Sequence, residues 1–397
     1  MSTKLALKEK ALALGFDLVG IASAGMRDDL AFARRWVEMG YGGEMEYLAN
    51  PKRADLRQVL PSAKSVICVA LIYNTPYPYS TEVYNPREPS QKDAAGDEDP
   101  PSGSPPRAWI SRYAWGRDYH RVLRTKLEAL RTMLTGLTAG VETRVFVDTG
   151  PVVERAFARL SGIGWMGKNT CLINEQKGSW FFLGVVLTNL ELELDLPAPD
   201  RCGTCTRCLD ACPTGALVEP YVMDASRCIA YFNIELKGAI PEEFRKAIGA
   251  NVVGCDICQD VCPWNSRPSF AVGDSLLAPA TPDGNSKPGS APRHAAATEL
   301  SEFQPLQVET KSIEAFSLFN PTLESLASIT EEDFKRLFAR SPIKRVKFRG
   351  WLRNLCVAMG NSGDPRFIPW LEAAANNSDP IVQEHAAWAL SKLRTTT

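Results

Sequence analysis

A chain of 397 residues, 45% hydrophobic and 23% charged, has the composition of an ordinary globular protein and the length for two or three buried cores. Its formal net charge of −1 excludes a global polycation, so any nucleic-acid site has to be a local basic patch. The longest apolar runs, 65–73 and 179–187, are strand-length and too short to span a bilayer, and the N-terminal stretch is charged and amphipathic without a signal-peptide core.

Residues 4–14 carry helical periodicity and lead into a short apolar strand at 16–22. A second helix is expected over 31–38, closed by glycines at 40–43, and a second strand over 65–73. This alternation argues for a mixed helix and sheet domain. Residues 74–107, rich in Pro, Ser, Asp and Glu, read as a mobile insertion. Order returns at 110–120 and continues as a long helix to about 137, followed by a strand at 143–147 and a helix to about 160. A glycine-rich segment, 162–169, precedes strands at 171–173 and 180–187, and a Pro- and Asp-rich linker covers 192–201. After Asn265 the low-complexity stretch 271–297 reads as a flexible linker. Helices expected over 343–359, 367–376 and 379–393, with Gly-Asp-Pro and Ser-Asp-Pro between them, resemble a short HEAT-like cap.

Eight of the eleven cysteines fall between Cys202 and Cys262. Cys202, Cys205, Cys208 and Cys212-Pro213 follow C-x2-C-x2-C-x3-C-P, a spacing tabulated for two-cluster bacterial ferredoxins. Cys228, Cys255, Cys258 and Cys262-Pro263 repeat it with the first cysteine displaced upstream. In that arrangement the fourth cysteine of each run belongs to the other cluster. One 4Fe-4S cluster is therefore assigned to Cys202, Cys205, Cys208 and Cys262, and the second to Cys212, Cys228, Cys255 and Cys258. Disulfides would require an oxidising compartment, and a third cysteine at x2 with a fourth at x3 is not zinc spacing. Reduced thiolates, no export signal and no membrane segment point to the cytoplasm. The remaining cysteines, Cys68, Cys171 and Cys356, lie in apolar runs and are expected in the core.

Asp148 stands where a strand ends and a helix is to begin, so it is either a ligand-facing carboxylate or a helix cap. The glycines of 162–169 permit close backbone approach, yet neither G-x-G-x-x-G nor G-K-S/T is present. His120, in an aromatic and polar motif, reads first as a satisfied structural histidine; His294 falls in the linker and His385 in a C-terminal helix. Arg340, Lys344, Arg345, Lys347, Arg349 and Arg353 form the densest basic stretch. Such a run is by default a solvated face, but with only uncharged residues between its charges it could grip a phosphate backbone, with Lys237 on the same surface.

Taken together, Ser-Arg-Tyr-Ala-Trp-Gly-Arg-Asp-Tyr-His (111–120), Val-Asp-Thr-Gly-Pro-Val-Val-Glu-Arg (147–155), Gly-Ile-Gly-Trp-Met-Gly-Lys-Asn (162–169), the two cysteine runs, Arg-Cys-Ile-Ala-Tyr (227–231) and Cys-Pro-Trp-Asn (262–265) resemble the epoxyqueuosine reductase family. The likeness runs from about residue 5 to 270 and more weakly through the C-terminal helices; the stretches 74–107 and 271–297 depart from it without interrupting a motif. The resemblance implies an α+β architecture: a nitroreductase-like cobalamin-binding domain over 1–192, a two-cluster ferredoxin-like domain over 193–270, a linker over 271–297 and a HEAT-like helical domain over 298–397. It implies a cobalamin-dependent oxidoreductase acting on the wobble nucleoside of tRNA, fed by an external low-potential donor and monomeric. Asp148 matches the family's proton donor, and burial is expected to raise its pKa so that it is protonated near neutral pH. Arg53, Asp148, Leu172, Asn174, Ser179, Leu183, Ile229 and Tyr231 match corrin-side positions. Lys237, Arg340, Lys344, Arg345, Lys347 and Arg349 are the expected tRNA contacts. Two other readings compete: a cytoplasmic cobalamin-dependent reductive dehalogenase, and a non-catalytic electron-transfer ferredoxin.

Overall fold

A computed structural model of the chain describes residues 2–25, 28–83, 104–137, 139–266, 296–310 and 314–395. Residues 84–103 of the expected insertion and 271–295 of the expected linker, His294 included, lie outside the described residues, as do 267–270 before the linker.

Helix α1 (Thr3–Ala13) is capped by the Ser2 hydroxyl, which accepts from the Leu5 amide, and leads into strand β1 (Leu18–Ser23). After helix α2 (Asp28–Glu38) comes β2 (Ser65–Ile72), and beyond helix α3 (Tyr119–Thr135) come β3 (Thr143–Phe146), helix α4 (Glu154–Leu160) and β4 (Phe181–Thr188). The four strands form one antiparallel sheet in the order β1-β2-β4-β3. An antiparallel sheet commonly keeps one face wet; here both faces are covered. Ile67, Val69 and Leu71 join Leu7 and Ala11 of α1 and Leu123, Leu127, Leu130 and Leu134 of α3 in one core. Val66, Cys68, Ala70 and Ile72 join Phe157 and Ala158 of α4 in another. All eight residues of β2 are therefore buried, which is why Ser-Val-Ile-Cys-Val-Ala-Leu-Ile is almost wholly apolar rather than alternating. Each fully buried large aliphatic side chain contributes roughly 1.5–3 kcal/mol.

A third core joins parts of the chain that the sequence assigns to different domains. Trp109, Ile110 and Trp115 pack with Ile229, Phe232, Val252 and Val253, and these with the C-terminal helices. Helix α5 (Lys347–Ser362) lies at its centre, with Trp351, Leu355, Cys356 and Met359 at most 1% exposed. It packs on the 251–253 strand and on helix α7 (Pro380–Thr395), which also holds α6 (Ile368–Ala375). The helix expected from Ile343 is interrupted: a 3-10 turn, Pro342–Val346, ends at Lys347, whose φ of 61° cannot continue a right-handed helix. Arg353, read as one charge of the basic stretch, is 2% exposed and donates to the carbonyls of Phe232, Leu236 and Gly238.

The expected insertion is also shorter than its composition suggests, because its flanks are packed. Asn74 and Thr75 are fully buried, and buried Arg112 donates to the carbonyls of Thr75, Tyr77 and Pro78. Ser80 is hydrogen-bonded to the Asp260 carboxylate beside the second cysteine run. The 192–201 linker is pinned as well, with Asp195 paired to Lys4 and Lys8 and accepting from the Ile21 amide.

A candidate active site beside the cysteine segment

All eleven cysteines are free thiols. Those of the two runs fall into two neighbourhoods. Cys208 interacts with Cys202 and Cys205, and Cys262 with Cys202 and Cys208. Cys228 interacts with Cys212, Cys255 with Cys228 and Cys212, and Cys258 with Cys255 and Cys228. Burial pushes Cys208 up to about 11 and Cys262 up to about 12, so these sulfurs need a cationic centre to become thiolates. Among the described residues no three Cys, His, Asp or Glu side chains close around a single ion. A cubane holds its four thiolates further from one another than a single ion does, so it does not require such a close group.

A hairpin from the first domain reaches both neighbourhoods. Trp165–Met166 pairs antiparallel with Leu172–Ile173, and the turn between them holds Lys168, Asn169 and Cys171. Lys168 Nζ donates to the carbonyls of Gly203 and Cys205 at 2.7 and 3.0 Å, and Asn169 Nδ2 to the carbonyl of Cys258 at 3.0 Å. Cys171, expected in the core with Cys68 and Cys356, is instead half-buried, donates from Sγ to Gln259 Oε1 at 3.6 Å and neighbours Cys258.

Asp148 lies in the bend after β3 with φ at 55°, a left-handed conformation that aspartate tolerates better than most residues. The helix-cap reading does not hold: α4 has Val153 at its N-cap without a side-chain bond. The Asp148 carboxylate, 53% exposed, accepts instead from Tyr119 Oη at 2.8 Å and lies 3.4 Å from His120 Nε2. His120 Nδ1 is 2.7 Å from Asp118, whose other oxygen accepts from Lys344. His120 thus stands in a chain of contacts, Lys344–Asp118–His120–Asp148, that reaches the Asp148 carboxylate. Burial opposes charge on Asp148. His120 Nε2 makes no hydrogen bond at that distance, but its nearby charge and the bond from Tyr119 outweigh the burial and hold the carboxyl at about 2. On His120 burial is likewise overcome, by Asp118 and Asp148, and the imidazole is raised to about 9. At neutral pH the pair therefore holds its proton on His120, which reverses the expectation of a raised Asp148 pKa.

Asp148 opens onto a cavity of about 1230 Å³ whose wall includes Trp36, Tyr47, Arg53, Glu154, Trp165, Cys228, Tyr231 and Glu235. Arg53 Nη1 donates to the carbonyl of Gly150, fixing the turn after Asp148. Tyr231 Oη accepts from the Glu44 amide, and Gly43 (φ 54°) leaves room for it, since a Cβ there would meet that oxygen at 2.6 Å. Glu154 Oε1 and Trp165 Nε1 are buried without a hydrogen-bond partner, and burial lifts Glu154 to about 8. A wide, largely apolar cavity with an orphaned acid and an orphaned N–H fits a flat macrocycle bearing amide arms.

Of the corrin-side residues named from the sequence, Arg53, Asp148 and Tyr231 meet on this wall. Leu172 and Leu183 pack against the α4 side of the sheet and Ile229 in the third core. Asn174 closes its own turn by accepting from the Gln176 and Lys177 amides, and Ser179 is buried against Gln259 and Asn265. The basic stretch lies at the rim. Arg345 pairs with Glu235 and lies over the Tyr47 ring, both on the wall, and its charge reaches Asp148. Arg349 donates to the carbonyl of Lys237, joining these two in one exposed patch with Lys347. Arg340 is exposed and its carbonyl accepts from the Asp118 amide. Tyr119, His120, Glu154 and Lys168 were not singled out as site residues in the sequence; the Tyr-His pair directly after the Asp118 cap was the available signal.

Eight thiols in two groups of four, set against a large cavity with Asp148 on its wall, define an iron–sulfur oxidoreductase with room for a second cofactor. Residues 201–265 match the family described as 4Fe-4S double cluster binding domain, and residues 53–149 match epoxyqueuosine reductase QueG, DUF1730. The chain is 41% identical over 365 residues to the epoxyqueuosine reductase of Gloeobacter violaceus, covering 91% of this chain and 97% of the relative. To that of Synechocystis it is 40% identical over 333 residues, covering 83% and 96%. A solved epoxyqueuosine reductase with a tRNA-Tyr epoxyqueuosine-modified stem loop superposes with a TM-score of 0.74 at 31% identity, covering 98% of this chain and 90% of that one. The chain belongs to the epoxyqueuosine reductase family.

Proposed function

We propose that the protein reduces epoxyqueuosine to queuosine at the wobble position of tRNA, with electrons entering through two 4Fe-4S clusters and a cobalamin bound in the cavity. The observation that supports this reading is that one cavity wall holds both Asp148, beside His120, and Cys228 of the second cysteine set, so that on this reading protons and electrons reach the same space. Opening the epoxide to an alkene consumes two electrons and two protons and releases water, so the site must deliver both. When bound, cobalamin supplies a strongly reducing cobalt centre for the carbon–oxygen bond. Arg53, Glu154, Trp165 and Tyr231 would hold it, and none of the lining residues is a histidine that could ligate its metal.

The cluster of Cys212, Cys228, Cys255 and Cys258 is proximal because Cys228 is on the wall; that of Cys202, Cys205, Cys208 and Cys262 lies under the exposed loop 203–207 and receives electrons from an external low-potential donor. The proton stored on His120, whose imidazolium Asp118 orients, passes through the Asp148 carboxylate to the departing oxygen. Tyr119 fixes the carboxylate by donating to it. A base must leave the anticodon stack to reach Asp148, and Lys237, Arg340, Lys347 and Arg349 hold the stem phosphates at the rim. Lys344 and Arg345, tied to Asp118 and Glu235, carry the rim's charge into the relay. The C-terminal helices serve as a HEAT-like platform for this patch, and the enzyme works as a cytoplasmic monomer. Mass spectrometry of tRNA nucleosides after incubation with reconstituted protein, cobalamin and a low-potential reductant tests the reading. Queuosine should appear at the expense of epoxyqueuosine, and unchanged epoxyqueuosine with both clusters loaded would refute it.

A further inference from the structure

The hairpin at 165–173 belongs to the first domain, yet its tip is bonded to both cysteine loops. Lys168 is the feature that the chemistry above leaves unused. Its side chain is buried, with the residue 9% exposed, and its carbonyl accepts from the Tyr221 amide. Nζ is satisfied by two carbonyls, those of Gly203 and Cys205, and among the described residues no carboxylate stands within ion-pair distance of it. Carbonyl dipoles solvate an ammonium but do not neutralise it, and a buried cation without a counter-charge is costly. The loop that Lys168 grips runs from Cys202 to Cys208, the stretch that would carry three thiolates of one cluster. A 4Fe-4S cluster with four thiolates is a net anion and gains one further negative charge on reduction.

We propose that Lys168 is the counter-cation of the Cys202, Cys205, Cys208 and Cys262 cluster and raises its reduction potential. The inference rests on the two-cluster reading above and deepens it. A fixed positive charge stabilises the reduced cluster more than the oxidised one, because the reduced state carries the extra electron. The cation is delivered by the cofactor-binding domain and not by the cysteine segment, so docking of the two parts adjusts the electron entry point. Asn169, one residue on, grips the other cluster's loop through the Cys258 carbonyl but carries no charge. It therefore separates the effect of the charge from that of the hairpin. Lys168 acts through the cluster and touches no substrate; its role is that of a positioning residue.

The test uses full-length protein reconstituted anaerobically with iron and sulfide, without cobalamin. Iron content is measured, and reduction is followed by electron paramagnetic resonance during a potentiometric titration. Wild-type protein should show two one-electron steps. Lys168→Gln should keep its iron and move one step to lower potential while the other stays; Lys168→Arg should leave both near their wild-type positions. Asn169→Ala should leave the Lys168-sensitive step in place. Unmoved steps in Lys168→Gln, or an equal movement of the same step in Asn169→Ala, would overturn the proposal. So would loss of one cluster's iron in both Lys168 variants, which would make the lysine a brace for the loop. Wild-type protein that takes up iron for fewer than two clusters would instead remove the reading beneath it.

Discussion

Replacing His120 with glutamine isolates the proton that the relay stores. The imidazole is raised from 6.5 to about 9 because its contacts with Asp118 and Asp148 outweigh the burial that opposes charge. A group raised on folding stabilises the native state fully below its unfolded value and loses that contribution as pH rises through the folded value. The window is therefore about 6.5 to about 9. The span corresponds to at most ~3.4 kcal/mol. With His120 27% exposed and Asp148 53% exposed, solvent screening reduces it to ~1–2 kcal/mol. The same titration governs turnover, since above about 9 the pair no longer holds a proton to pass through Asp148. In wild-type enzyme kcat/KM on an epoxyqueuosine-containing stem-loop should fall as pH rises through about 9. In His120→Gln it should be lower by roughly 10²-fold and lose that alkaline limb. A variant with wild-type rate and an unchanged fall near 9 would refute the relay.

Asp148→Asn should retain iron content and the corrinoid absorbance band after reconstitution but turn over at least ~10²-fold more slowly; full activity would remove Asp148 from the chemistry. Cys228→Ser should lose about half of the iron, whereas Cys171→Ser should keep it all, because Cys171 neighbours Cys258 without belonging to either set of four. Neutralising Lys237, Lys347 and Arg349 together should weaken stem-loop binding and flatten its salt dependence by roughly one charge per lost phosphate contact, with little change in melting temperature. Arg353→Met should behave in the opposite way, lowering stability by about 3 kcal/mol through one buried and two part-buried carbonyls left without their donor, while leaving the salt slope unchanged.

The sequence by itself determined what short-range chemistry can write. Fixed spacing marks the eight cysteines because ligands of one cluster must leave a tight loop in a set order. The run at 65–72 marks a strand because it is short and almost wholly apolar, while the cover on both its faces comes from the helices packed there. What the tertiary structure decided depends on groups far apart in the chain. Asp148 alone could have been a cap; Tyr119 and His120, brought up by a helix that starts at Asp118, make it one end of a chain of contacts and invert its expected pKa. The basic stretch looked uniform, yet Arg353 is buried against the Phe232, Leu236 and Gly238 carbonyls while Arg349, one turn earlier on nearly the same face of α5, stays exposed, because what packs over that face and not helical periodicity decides how far the cover extends. Lys168 carries no motif of its own. Its place against the Gly203 and Cys205 carbonyls follows only from docking the hairpin on the cysteine loops, a contact that spans 35 and 37 residues of sequence.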